Sequence, residues 1–190
     1  MGHPEKKYFT VEEYLEFERN STEKHEYYNG EIYAMSGASF AHNKIFSNVF
    51  GKLSLKLDNE KCTLFGSDLR TSIELNSKFV YPDMSIICEE PMFTDDKFDT
   101  VKNPKIIIEI LSKTTRDYDL GTKFLFYRQI ESLEEYLLID SLETKIIKYH
   151  KQKNGSWILT ETDSLDQSFT LNSIKVNMKV ADIYKNVVFK

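Results

Sequence analysis

The chain has 190 residues, a hydrophobic fraction of 41% that includes 13 Phe and 11 Tyr, 29% charged residues and a formal net charge of −5 at pH 7. That length and apolar content suit one domain spanning 1–190 around its own core, and they exclude a disordered chain. No apolar run approaches the roughly 20 residues of a membrane span and the start, MGHPEKKYFT, lacks the apolar core of a secretory signal, so a cytoplasmic protein without a membrane partner is expected.

From Thr10, TVEEYLEFER places a capping hydroxyl three residues before Glu13, ahead of apolar residues at helical spacing, which predicts a capping box and a short helix. HEYY and EIYAM flank Asn29-Gly30, a pair suited to a type I′ turn, so a β-hairpin follows. Ser39 can cap AHNKIFSNVFGKLSLKL, where Ile45, Val49 and Leu53, with Phe46, Phe50 and Leu57, make a wide apolar stripe for a core-facing helix. Three strands are expected next: CTLFGSDLRTSIEL, FVYPDMSIIC after a turn near Asn76 to Lys78, and KIIIEILS after the polar loop 89–105. The last is apolar on both faces, as a central strand is. Thr114 or Thr115 opens a helix over DYDLGTKFLFYRQI that leads into the strand EYLLID, a βαβ crossover. KIIKYHK and SWILTE read as a hairpin turning at Asn154-Gly155, followed by a tail that closes helically in VADIYKNV. The whole predicts an α/β fold, a mixed β-sheet flanked by helices.

Two minor features carry expectations of their own. Cys62 and Cys88 lie in apolar stretches without Cys-x-x-Cys or Cys/His spacing, which predicts buried free thiols rather than a disulfide or a zinc site. Lys145, Lys148, Lys151 and Lys153 gather in one segment that could track phosphates but reads rather as the solvated face of a hairpin, and the acidic net charge shows no global phosphate-binding footprint.

Glu109 is the anomalous residue, because it interrupts Ile106, Ile107, Ile108, Ile110 and Leu111 where a buried strand should be apolar. A buried carboxylate takes up a proton or finds a cation, and Lys123, Arg70 or a metal ion are the candidates. Alternation puts Glu109 on the face of Ile107 and Leu111, while Asp83 shares a face with Tyr81 and Ser85, so neighbouring strands would bring the two acids together. Two carboxylates about 4 Å apart repel by roughly 4 kcal/mol at an effective dielectric of 20, whereas a bound divalent cation reverses that sign. Magnesium suits one or two carboxylates plus water and phosphate oxygens, and a nearby lysine would complete phosphodiester chemistry.

The order of Tyr81-Pro82-Asp83, Glu109-Ile110-Leu111-Ser112, Asp119-Leu120-Gly121-Thr122-Lys123 and Glu135-Tyr136, together with HEYYNGEIYAMSGAS, the following His42, Ser67-Asp68-Leu69-Arg70 and EYLLID, resembles the Uma family of restriction-endonuclease-like proteins. That family is placed in the PD-(D/E)XK nuclease superfamily, and the resemblance implies a Mg²⁺- or Mn²⁺-dependent endonuclease hydrolysing DNA phosphodiesters. Asp83 matches the first acid of the motif and Glu109 the second, with the Ile110 backbone carbonyl as a further metal ligand. The usual lysine position is occupied by Leu111. Lys113 is the nearest replacement along the strand, but the resemblance favours Lys123 on the following helix, where Asp119, Lys123 and Tyr127 share one row. Gly121 in that helix suggests close approach of the sheet or a ligand.

Four residues are candidates for supporting roles: Glu26 as an additional acid or a hairpin surface residue, Asp68 as a ligand or, preferably, the partner of Arg70, His42 as a helix-capping residue or a base, and Tyr127 as core or as support for Lys123. Ser112 has no His/Asp context and is not a nucleophile. Leu111 and the acidic charge also permit a catalytically silent nuclease fold that binds nucleic acid or protein, and a homodimer would suit cleavage of both strands.

Overall fold

The structure, a computed structural model, describes residues 8–57, 61–73 and 77–189. Helix α1 (Val11–Asn20) starts at the expected capping box, with Thr10 accepting from the Glu13 N–H and Glu13 reaching back to Thr10. Strands β1 (His25–Tyr28) and β2 (Glu31–Ala34) turn at Asn29 and Gly30, both at positive φ as a type I′ turn requires. Helix α2 (Phe40–Leu57) begins where the Ser39 hydroxyl accepts from the His42 N–H. It buries the stripe of Ile45, Val49, Leu53 and Leu57.

The next two predicted strands each divide. CTLFGSDLRTSIEL becomes β3 (Thr63–Gly66) and β4 (Arg70–Ile73), and FVYPDMSIIC becomes β5 (Lys78–Val80) and β6 (Met84–Ile87). Together they form one long bent hairpin. Its outer half, β3 with β6, joins a six-stranded sheet, while β4 with β5 joins a five-stranded one. The chain changes sheets at Ser67–Leu69 and again at Tyr81–Asp83, so the expected α/β fold of mixed sheet and flanking helices is present with its strands divided between sheets. The turn expected at Asn76 to Lys78 lies partly outside the described residues.

After β7 (Thr100–Val101), β8 (Ile106–Leu111) is fully buried between antiparallel β6 and parallel β9 (Glu135–Asp140). The β8–β9 crossover runs through α3 (Arg116–Tyr118), a π-helical turn (Asp119–Lys123) and α4 (Phe124–Tyr127). Strands β10 (Ile146–Lys151) and β11 (Trp157–Thr162) form the hairpin at Asn154-Gly155 and complete the six-stranded order β11-β10-β9-β8-β6-β3. The five-stranded order is β2-β1-β5-β4-β7. A further hairpin, β12 (Ser168–Leu171) with β13 (Val176–Lys179), was not expected from the tail and precedes α5 (Val180–Ile183). Among the described residues no helix is long and apolar enough to cross a membrane.

Alternation along β8 divides the core. Ile106, Ile108 and Ile110 pack with the α2 stripe on one side, and Ile107 and Leu111 pack with Tyr127, Ile130, Leu133 and Tyr136 on the other. Glu109 shares the second face, which is why its environment is the crossover helix.

The two cysteines correct the expectation of free thiols, because Cys62 and Cys88 are joined in a disulfide. The physical reason is register. Thr63 pairs with Ile87, so one step further along the antiparallel ladder Cys62 stands opposite Cys88. Lys148 is a second correction. Instead of lying on a solvated face it is buried, its ammonium donating to the Thr170 carbonyl and to Asn172 Oδ1 at the unforeseen β12–β13 hairpin.

Candidate active site

Strand pairing brings the two motif acids together. Met84 pairs with Ile108, so the next position outward sets Asp83 against Glu109. The Asp83 N–H donates to Glu109 Oε2 at 3.2 Å, and the Ile110 N–H donates to Asp83 Oδ2 at 2.7 Å. Pro82 and the sheet change end the ladder here, and Asp83 remains partly exposed in a cleft of about 570 Å³ lined also by Glu26, His42, Glu109, Asp119 and Lys123. Asp83 Oδ2 also meets His42 Nε2 at 3.2 Å, while His42 Nδ1 is buried without a partner. His42 stands in the first turn of α2, yet its ring serves this contact rather than a cap.

Lys123 reaches the same point from the crossover. Its ammonium lies 3.0 Å from Glu109 Oε1, 3.2 Å from Glu26 Oε1 and 3.5 Å from Asp119 Oδ1. Tyr127, one turn on, donates its hydroxyl to Glu109 Oε1 at 2.7 Å. The π-helical turn Asp119–Lys123 ends where α4 begins, and both of its terminal side chains are buried. Such turns are frequent at functional sites because the extra residue re-aims the side chains around it. Gly121 sits in that turn but is exposed, with no protein atom within 4 Å of the place a Cβ would occupy, so the expected close approach of the sheet is corrected.

Electrostatics follow from burial and charge count. Desolvation pushes the Glu109 carboxyl up to about 8, with Asp83 and Asp119 adding to the rise and Lys123 and Tyr127 opposing it. Asp119 is raised for the same first cause. Burial would lower the Lys123 ammonium, but Glu109, Tyr127, Glu26 and Asp119 outweigh it and hold the group well above its ordinary value. Lys123 is therefore a fixed cation, and the exchangeable proton of the site belongs to the carboxylates.

Asp83, Glu109, Lys123, Tyr127, His42 and Glu26 are thus brought together. Glu26 is no surface residue: it is buried on β1, accepting from Tyr28 Oη at 2.5 Å and from the Tyr81 N–H at 3.4 Å. Tyr127 supports Glu109 directly, not Lys123. Asp68 does not join. It lies in the turn between β3 and β4 with its side chain 94% exposed and pairs with Lys24, while Arg70 is taken by Asp99, because the predicted continuous strand is broken there. Lys113 is exposed beyond the end of β8, and Leu111 is packed in the core. Asp119 also faces the site, 3.5 Å from Lys123, as its place in one row with Lys123 and Tyr127 led one to expect.

The donor set can be tested against a metal. Among the described residues no group of three or more His, Cys, Asp or Glu could enclose one. The Asp83–Glu109 pair, with Asp83 Oδ1 bearing no hydrogen bond among the described residues, fits an ion such as magnesium that is held by few carboxylates and keeps its waters.

The family model described as "Uma2: Putative restriction endonuclease" matches residues 11–181. Two proteins of Synechocystis sp. are similar: "Uncharacterized protein sll1609", 41% identical over 155 residues covering 82% of this chain and 88% of the relative, and "Uncharacterized protein slr1290", 35% identical over 178 residues covering 94% and 92%. A crystal structure of "a putative nuclease belonging to DUF820 from Anabaena variabilis" superposes with a TM-score of 0.78 at 18% identity, covering 95% of this chain and 99% of that one, which shows a shared fold.

Proposed function

The chain belongs to the Uma2 family, and on that premise we propose that it is a single-domain, metal-dependent endonuclease that hydrolyses DNA phosphodiester bonds in the cleft at Asp83 and Glu109. The observation that carries this reading is the convergence of those two acids with the Lys123 ammonium 3.0 Å from Glu109, although Leu111 removes the lysine from the strand. Asp83 and Glu109 would hold Mg²⁺ or Mn²⁺, with the Ile110 carbonyl as a further ligand. When bound, the ion supplies a Lewis acid and a more acidic water.

The protein's own groups divide the remaining work. Lys123, whose ammonium is favoured by the acids around it, neutralises negative charge developing on the phosphate, an interaction worth most where water is excluded. Tyr127 holds Glu109 by one oxygen, and the Asp83 N–H holds the other, so the carboxylate is oriented before substrate arrives. Glu26 and Asp119 hold Lys123 in place. His42 fixes Asp83 Oδ2 from the α2 side. The reading extends to a cytoplasmic protein acting as a homodimer, since two sites cut both strands of a duplex.

The test is incubation of purified protein with plasmid, linear and single-stranded DNA in Mg²⁺ or Mn²⁺, beside identically purified Asp83→Ala and Lys123→Ala proteins. The parent should convert at least one substrate, EDTA should stop it, Asp83→Ala should be inactive, and Lys123→Ala should turn over about 10²-fold more slowly. A parent that cuts nothing in any metal is instead a silent binding fold, the reading favoured by Leu111 and the net charge of −5.

A further inference from the structure

The acids of the site come from different sheets. Glu26 stands on β1 of the five-stranded sheet, while Glu109 stands on β8 of the six-stranded one, with Asp83 at the entrance to its neighbour β6. Their relative placement depends on where the chain crosses between sheets, at Tyr81-Pro82-Asp83. Tyr81 is 8% exposed and is fixed at both ends. Its N–H donates to Glu26 Oε1 at 3.4 Å. Its hydroxyl accepts from Arg70 Nη1 at 3.2 Å and donates to Glu18 Oε1 at 2.9 Å.

Both hydroxyl partners are themselves committed. Arg70, 2% exposed, also donates Nε to Thr100 Oγ1 at 2.8 Å, and its Nη2 lies 3.0 Å from Asp99 Oδ1. Glu18 on α1 accepts the backbone N–H of His25 at 2.9 Å and meets its ring Nδ1 at 3.0 Å. His25 directly precedes Glu26. One phenol therefore links the residue before Glu26 to the residue two before Asp83. If this bend needed only a packed ring, phenylalanine would serve without burying an arginine and a glutamate around it, since buried polar groups are costly unless all are paired.

We propose that Tyr81 is a positioning residue, which sets Glu26 against Lys123 through a hydroxyl locked between Arg70 and Glu18; its consequence for metal binding and turnover rests on the nuclease reading, whereas the coupling to Glu26 does not. Tyr81 lines the cleft, but its hydroxyl is taken up by Arg70 and Glu18. It acts by keeping the Glu26 Oε1 to Lys123 Nζ distance, now 3.2 Å, while Lys123 also serves Glu109.

The test is Tyr81→Phe in the full chain. In metal-free protein the Glu26 carboxyl carbon resonance, assigned by its loss in Glu26→Gln, should move in Tyr81→Phe and stay in Tyr184→Phe, which removes a buried hydroxyl from the opposite core layer, one that donates to the Asp140 carbonyl. Mn²⁺ affinity should fall about tenfold, because Glu26 sets Lys123 and Lys123 in turn holds the ligand Glu109, a change of the size seen when support around a metal ligand is lost. The Tyr81→Phe/Glu26→Gln double variant should bind Mn²⁺ no more weakly than Glu26→Gln alone, because coupled residues are not additive. An unmoved resonance together with additive losses would show a purely structural tyrosine and overturn the proposal. If the parent binds no Mn²⁺, the nuclease reading fails and the carbon resonance alone decides. Should Tyr81→Phe not fold, Arg70→Lys makes the same test, since it keeps the cation and withdraws the planar fork that reaches Tyr81.

Discussion

Replacing Lys123 by methionine removes an ammonium that faces Glu109, Glu26 and Asp119, all within 3.5 Å of it, and leaves a side chain of similar length. Breaking a buried ion pair from one side costs about 3–5 kcal/mol, because the remaining charge is left without compensation. Protons limit that cost here. Glu109 in the parent already titrates at about 8, against 4.5 in an unfolded chain, so the native state binds more protons than the unfolded one between those values. Stability of the metal-free parent therefore falls as pH rises from about 4.5 to 8, and it is greatest at the acid end of that window. Without Lys123 the carboxyls rise further and the fall is steeper. The expected result is a loss near 1 kcal/mol at pH 5, where Glu109 is protonated, and about 3 kcal/mol at pH 8, equivalent to roughly 6–12 °C in Tm for a chain of this size. Urea melts of parent and variant in EDTA at the two pH values measure it. Equal losses at both, or a loss under 1 kcal/mol at pH 8, would refute the view that Lys123 balances a surplus of buried negative charge.

Two further outcomes are expected. Asp83→Asn keeps an oxygen for the Ile110 N–H and removes one charge beside Glu109, so in EDTA it should melt no lower than the parent, while Mn²⁺ titration by calorimetry should show the site lost; a marked destabilisation without metal would make Asp83 a structural ion-pair member instead. Cys62 and Cys88 should resist alkylation in unreduced, denatured protein and both react after reduction, as read by mass, and alkylation without reduction would contradict the disulfide.

Much of the fold was legible because local rules and the global structure agree: the Thr10–Glu13 capping box, the Asn29-Gly30 turn, the α2 stripe and the apolar β8 all stand where their patterns put them. The failures share one cause, which is that apolar patterning reports burial but not the sheet a strand joins. CTLFGSDLRTSIEL reads as one strand, yet its chain passes from one sheet to another at Ser67–Leu69, which carries Asp68 out to solvent. The disulfide depends on the β3–β6 register across a separation of 26 residues, which no spacing motif encodes. Lys148 looked solvated because its partners lie on a hairpin too polar in sequence to announce itself.

The site was legible in proportion to how unusual each residue was for its element. A glutamate inside an isoleucine run has no ordinary explanation, so Glu109 stood out, and Asp83 followed from it. Glu26 did not, because an acid beside a turn is ordinary until β5 and the crossover helix bury it. The geometry around Lys123 is also that of a buried salt bridge, and contact distances alone do not separate the two roles. Charge count does. Among the described residues one ammonium faces Glu26, Glu109 and Asp119, and Asp83 adds a fourth acid through its N–H contact with Glu109. A structural pair is balanced, whereas this group, even with the His42 ring counted as a cation beside Asp83, keeps an excess of acid that a proton on Glu109 relieves. Such an excess is destabilising by itself and becomes favourable when a divalent cation replaces the proton, which is the reason to read the cluster as a site and not as a brace.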